Sequence, residues 1–440
     1  MAGGSEAHGM VTQDPAGRAR AQLTEALCEV AELEHSLCLQ YLYAAFSLKA
    51  RPEEGGIDEV QTELVREWKG QLLLLAREEM LHLGLVLNLL ASVGGAAYLR
   101  RPNFPQAERY YPLGTVAALE PFSGASLERY LAYELPSSLL PAQEPGGRPD
   151  GELRQTVGQL YDRIRRLITT VDEHDLFIGS DLRQVDTAAV IDPEGVFDDD
   201  VTVGYGVEPF VINGRASALR AVDLIVEQGE GATEEEEDSH YNRLLRIRAE
   251  LTVELDNASR TGRPFEPARP MLDNPVVRPA PDAEGATRIS DPLAREAAEL
   301  FDAGYGLLVL MLLRFYSRVD ESAVEQKRIQ RVAFFPLMTM FTRPLGEILS
   351  ELPALTGNPV VTAGPPFEFQ RGLALIPERD VAHRVFAERL ADMAERSRRF
   401  ADRMGSASVP ARLRLRASLV AKDMERMARS FTEDESAVRS

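Results

Sequence analysis

The segment REEMLHLGLVLNLL, residues 77–90, is apolar enough to demand burial on most sides, yet it carries Glu78, Glu79 and His82 in its midst. Its leucines recur at helical spacing. A carboxylate or imidazole taken out of water without a partner costs several kcal/mol. A charge, a hydrogen bond or a metal must therefore meet these side chains. Glu79 and His82 are three residues apart, so both project from one face of the helix.

The rest of the chain supplies further helices and possible partners. Residues 19–50 have apolar residues at helical spacing with no internal Pro or Gly, and RPEEGG ends the run. A second helix is expected over about 58–92, closed by SVGG. The short loop makes these two an antiparallel pair. Residues 94–150 are richer in Pro and Gly, with short elements such as SLERYLAYELP. A third helix is expected over 152–174, followed by a loop of mixed strand and turn character over 176–214. A fourth helical stretch starts near Ala216 and runs through LIVEQGEG toward EDSHYNRLLRI. The fold class is mostly α, in four parts: a flexible tail (1–18), a metal-binding bundle with long insertions (19–257), a Pro-rich connector (258–291) and a C-terminal helical region (292–440). Seven prolines from Pro264 to Pro292 make the connector an extended strap or linker rather than a helix. The run GYGLLVLMLLRFYS, residues 304–317, is too apolar to stand in water, so the C-terminal region is expected to pack on the bundle.

Within this frame the chemistry-bearing residues form a pattern. On the first helix Glu34 shares a face with Cys38 and Tyr41, while the neighbouring His35 points some 100° away. Tyr41 is the candidate catalytic group, with a plain core aromatic as its alternative. In the fourth stretch Glu227 lies in the apolar run VDLIVEQ, with Glu230 as its competitor. Glu237 and His240 repeat the Glu-x-x-His spacing, although EEEED also reads as a solvated acidic run. Two lone glutamates and two Glu-x-x-His pairs on four helical segments form the ligand set of a carboxylate-bridged di-iron or di-manganese bundle. Hard carboxylates neutralise two divalent ions, and neutral imidazoles complete the set while leaving positions open for dioxygen. Only thirteen residues separate Glu227 from His240, and Gly229 and Gly231 lie between them. The glycines are expected to bend one helical region so that both ends face one centre. His174 and His383 have no partner at ligand spacing and read as structural.

Composition removes several other functions. With 49 Lys and Arg against 69 Asp and Glu, the net charge is -20. Nucleic acid and anionic membrane both select for basic surface, so neither is an expected partner. No window has the run of about 20 apolar residues a spanning helix needs, and the N-terminus has no apolar core like that of a secretory leader. Cys28 and Cys38 lie ten residues apart on one helix, too far to bridge. The expected setting is reducing cytoplasm.

In order, ELEHSLCLQYLYAAFSLK, REEMLHLGLVLNLLASVGG, LERYLAYELP, LIVEQGEG and DSHYNRLLRI resemble the ferritin-like domain of the iminophenyl-pyruvate dimer synthase family. FFPLMTMFTRPLGEILSELP and TAGPPFEF are similar to that family's C-terminal helical part. These enzymes occur in violacein and indolocarbazole pathways and in other bacterial gene clusters. The resemblance implies a ferritin-like bundle with an additional helical region packed on it. It carries the metal role onto Glu34, Glu79, His82, Glu227 and His240. The implied function is a non-haem di-iron oxidoreductase of bacterial specialised metabolism. It would use two iron ions (or manganese) and dioxygen as cosubstrate on a small amino-acid-derived or aromatic molecule. The alternative is a ferroxidase-like metal-binding protein without organic substrate. Expected partners are the small-molecule substrate, a second copy of the chain in a homo-oligomer, and a reductase or pathway oxidase.

Overall fold

The helix around REEMLHLG has a definite beginning. Asp58 accepts a hydrogen bond from the Gln61 N–H, and the Gln61 side chain accepts one from the Asp58 N–H. This reciprocal cap satisfies two donors that a helix start otherwise leaves exposed. The helix, α2 (Glu59–Ser92), runs for 34 residues. It packs along α1 (Pro15–Ser47), which takes in residues 15–18, before the expected boundary at 19. The computed structural model describes residues 15–107, 110–111, 115–139, 156–186, 209–230, 238–278, 284–317, 320–369 and 373–438.

Five shorter helices accompany this pair. α3 (Gly124–Tyr133) and α4 (Val157–Thr170) start at the capping residues Ser123 and Thr156. The one-turn α5 (Glu173–Leu176) follows α4. α6 (Arg215–Glu230) packs against α4, and α7 (His240–Thr261) packs against α3 and α6. The expected bend at EQGEG is not seen at Gly229. α6 passes through this residue as a continuous helix, and Gly229 has no positive φ. Its small size serves a different purpose, given below. Gly231 and Glu237 lie outside the described residues.

The chain leaves helix after Thr261, so 258–261, expected in the connector, still belong to α7, and the proline-containing segment that follows is extended. It is tied to the end of α1: Lys49 N–H donates to the Pro267 carbonyl at 2.8 Å. The buried Arg269 donates to the carbonyls of Phe46 and Leu48 at 2.9 and 2.8 Å. Two residues of it, β1 (Pro275–Val276), pair in parallel with β2 (Thr287–Arg288).

Beyond the strap, α8 (Pro292–Ser317) is buried along most of its length. Next come α9 (Ala323–Val332), a π-helical stretch (Ala333–Thr342) and α10 (Arg343–Leu349). A small hairpin, β3 (Pro353–Leu355) with β4 (Asn358–Thr362), precedes the long α11 (Arg379–Ser406) and α12 (Ala411–Val438). The apolar run of α8 shares one hydrophobic core with the bundle. Polar contacts reinforce the seam, as in the 2.7 Å hydrogen bond between Tyr305 Oη and His35 Nε2. The molecule is mostly α, and among the described residues no helix is long and apolar enough to cross a membrane.

Candidate metal centre

Four helices, α3, α4, α6 and α7, converge on the polar residues of α1 and α2. Glu34, Glu79, His82 and His240 are each 1% exposed or less. They meet at mid-bundle as the helical spacings require. The third carboxylate is Glu134, also buried, which continues α3 by one residue and donates its N–H to the Tyr130 carbonyl.

The cluster divides into two halves. In one, His82 Nδ1 lies 3.4 Å from Glu34 Oε2 and 3.4 Å from Glu79 Oε2. In the other, His240 Nδ1 lies 2.9 Å from Glu79 Oε1 and 3.5 Å from Glu134 Oε1. Glu79 thus turns one oxygen to each half, and the two imidazoles stack with centroids 5.4 Å apart. Each half brings three ligand atoms close enough to hold one ion. A carboxylate offering separate oxygens to two such groups has the arrangement of a bridging ligand.

Two tyrosines support the outer carboxylates. Tyr41 donates to Glu134 Oε1, and Tyr161 of α4 donates to Glu34 Oε1. Tyr41 is therefore a hydrogen-bonding group as well as a buried one. The third expected helix contributes a wall and this hydroxyl; its Asp162 is exposed. Burial, and then the adjacent Glu34 or Glu134 carboxylate, keeps both phenols protonated.

Glu227 is exposed and belongs to neither half. The α6 residue that faces the site is its neighbour Gln228, whose Oε1 lies 2.9 Å from His82 Nε2. Adjacent helical residues diverge by about 100°, so an error of one position moves a side chain off the face. The buried α6 stripe Ala218, Ala221, Val222 and Ile225 carries this information, since Glu227 lies two residues and about 200° beyond Ile225. The side chain of Glu230 lies outside the described residues, as does the whole of Glu237. Glu134 takes the place expected for Glu227. A signal for it exists in SLERYLAYELP: Leu127, Tyr130 and Leu131 form an apolar stripe that Glu134 continues at i+7, i+4 and i+3.

The electrostatics are those of a site short of positive charge. Burial, then the adjacent Glu79, pushes the Glu34 carboxyl up to about 8. Burial would also raise Glu79, but its hydrogen bond to Glu34 and the charge of His240 hold it down. Burial opposes a charge on His82, yet Glu34 and Glu79 outweigh it and lift the imidazole to about 10. His240 is raised likewise by Glu79 and Glu134. Without another cation, the cluster retains protons at neutral pH.

A divalent pair fits this donor set. The ligands are hard carboxylates and imidazoles, which suit iron or manganese. The Nε2–H donated to Gln228 would leave the His82 Nδ1 lone pair toward the carboxylates, and His240 Nδ1 is buried without an aligned hydrogen bond. A narrow cavity of about 10 Å³ adjoins the cluster, lined by Leu37, Val157, Gly158, Tyr161, Ile225 and Gly229. That is about enough room for one water-sized molecule. A Cβ added at Gly229 would stand 3.3 Å from Glu134 Oε2. The glycine is there for this close approach.

A family model described as ferritin-like matches residues 27–249, the span from α1 into α7. The chain is 28% identical over 422 residues to the dichlorochromopyrrolate synthase of Lentzea aerocolonigenes, covering 86% of this chain and 39% of that protein. It is 32% identical over 380 residues to the 2-imino-3-(indol-3-yl)propanoate dimerase of Chromobacterium violaceum, covering 80% of this chain and 34% of that protein. The chain therefore spans little more than a third of the length of these curated relatives. A solved ferritin-like protein from Caulobacter vibrioides is similar at 19% identity, over 75% of this chain and 94% of that chain, with a TM-score of 0.42.

Proposed function

Since this chain belongs to the ferritin-like family, we propose that Glu34, Glu79, His82, Glu134 and His240 hold two divalent metal ions, iron or manganese, for an oxidative reaction. The carrying observation is the division of Glu79 between two ligand groups, with one oxygen 3.4 Å from His82 and the other 2.9 Å from His240. The metal pair, once bound, supplies the redox chemistry with dioxygen. The side chains position that chemistry. Tyr41 and Tyr161 occupy one oxygen each of Glu134 and Glu34, which orients these carboxylates. Leu37, Val157 and Ile225 keep the adjoining cavity apolar and exclude bulk water.

The two relatives are named as a synthase and a dimerase. They support an enzyme over a storage protein. By that analogy the substrate is a small amino-acid-derived aromatic molecule. The cavity seats only a water-sized molecule, so such a substrate requires the lining side chains of α4 and α6 to part. The test is dioxygen uptake by iron-loaded protein in the presence and absence of an aromatic imino acid. Uptake that depends on the organic substrate is expected. Uptake driven by added ferrous iron alone, with no effect of any such substrate, would favour the ferroxidase reading.

A further inference from the structure

The two halves of the cluster look alike from the centre, but their histidines differ behind. Both turn Nδ1 inward and Nε2 outward. His82 Nε2 meets Gln228 Oε1, a neutral amide oxygen, at 2.9 Å. His240 Nε2 instead lies 3.3 Å from Glu78 Oε2. Glu78 is itself 5% exposed and bound to the buried Arg243, with Nη2 to Oε2 at 2.6 Å. This accounts for the first glutamate of REEM, which the ligand set leaves over. The Glu78 contact to the imidazole is not an aligned hydrogen bond. Its effect does not require alignment, because a carboxylate at this distance acts through its charge, and burial reduces screening.

A carboxylate behind a liganding imidazole raises its basicity and its hold on a metal, and removing such a partner typically costs tenfold to a hundredfold in affinity. An amide does this more weakly. We infer that Glu78, held in place by Arg243, makes the position of Glu134 and His240 the tighter of two unequal metal sites, and that Gln228 leaves the position of Glu34 and His82 the weaker. The inference rests on the two-metal reading given above. Glu78 and Gln228 are positioning residues here, acting through the imidazoles rather than touching a metal. The arrangement fills one position first, so singly and doubly loaded forms exist over different ranges of metal concentration.

Titration of the metal-free full chain with Mn(II) tests this, following the free ion by its electron paramagnetic resonance signal. Two steps of one ion each are expected, separated by about tenfold or more. Glu78→Gln keeps a group able to bond Arg243 and removes the charge; it should weaken the first step about tenfold and leave the second nearly unmoved. Gln228→Glu should do the reverse, tightening the second step toward the first. Because Gln228→Glu alters a partly exposed residue, it serves even if Glu78→Gln fails to fold. Two equal steps in the unaltered protein, or a Glu78→Gln variant that weakens both steps alike, overturn the asymmetry while leaving the two-metal reading intact. No Mn(II) binding at all overturns both.

Discussion

Two buried polar clusters, one in the bundle and one in the C-terminal region, meet the cost of burial in opposite ways. In the C-terminal region Arg314 is fully buried and donates to Glu321, Asp320 and the carbonyls of Ile376 and Pro377. His383 lies 4.0 Å from Glu321, and burial holds its imidazole below the ordinary range, hence neutral. The cluster compensates the Arg314 charge and clamps the segments that precede α9 and α11 to α8. In the bundle, Glu78 has Arg243, but the partners of Glu34, Glu79 and Glu134 are histidines, tyrosines and one another. A closed cluster of the first kind is structural. An anionic one whose central carboxylate faces two ligand groups is compatible with a pair of cations.

The sharpest way to break this comparison is to remove the central acid of each cluster. Glu79→Ala should abolish binding of both metal ions, because each half loses a ligand, and metal analysis of the purified variant reads this directly. Glu321→Ala should leave metal content unchanged but destabilise the fold by roughly 3–5 kcal/mol, measured by denaturant unfolding, because Arg314 loses its buried partner. If the two variants gave the same outcome, the distinction would fail.

A second pair separates the ligand proposed from the geometry from the one the sequence suggested. Glu134→Ala should lose about one ion of the two, counting ligands per half. Glu227→Ala, at an exposed position, should retain both. Loss of metal in the Glu227 variant would return that residue to the site.

How much was legible follows from these same residues. Glu34, Glu79 and His82 stand out because each interrupts an apolar helical run, whereas His240, which opens α7 after the acidic EEEEDS, is reached through its Glu-x-x-His spacing with Glu237. Glu134 was hidden by the shortness of α3, since ten residues give weak periodicity and Pro136 signals a turn. Glu227 misled because the apolar flank Leu224, Ile225, Val226 does not reveal which side of α6 is inward. Gly229 suggested a break, whereas it allows close approach. The long helices and the strap were readable from periodicity and proline alone. The way α8 docks on α1 depends on tertiary fit, which no local pattern carries.

The clusters should also respond oppositely to pH. In the metal-free protein Glu34 and His82 are raised to about 8 and about 10. Folding therefore takes up protons. Their contribution is full below the unfolded values, near 4.3 and 6.5, and is lost as pH rises through about 8 and about 10. The melting temperature of metal-free protein should fall over that interval. Metal affinity should rise over the same interval, because ions displace these protons. His383 contributes the other sign: neutral when folded, it disfavours the fold as pH drops below the unfolded value. His383→Phe should therefore weaken the acid-side loss of stability without altering the metal titration.

The smallest effect is expected at Gly229. Alanine favours a helix over glycine by about 1 kcal/mol, so Gly229→Ala should slightly raise the melting temperature. Its Cβ, 3.3 Å from Glu134 Oε2, would press on that carboxylate and weaken metal binding a few-fold at that half. A fall in stability without any change in binding would mean that the glycine serves the backbone instead.

The most direct measurement is anomalous X-ray diffraction from crystals of iron-loaded protein, recorded on both sides of the iron absorption edge. Two peaks are expected on either side of the Glu79 carboxylate, one beside Glu34 and His82 and the other beside Glu134 and His240. Absence of any peak among these five residues, or peaks displaced to the exposed face of α6 around Glu227, would contradict the metal centre.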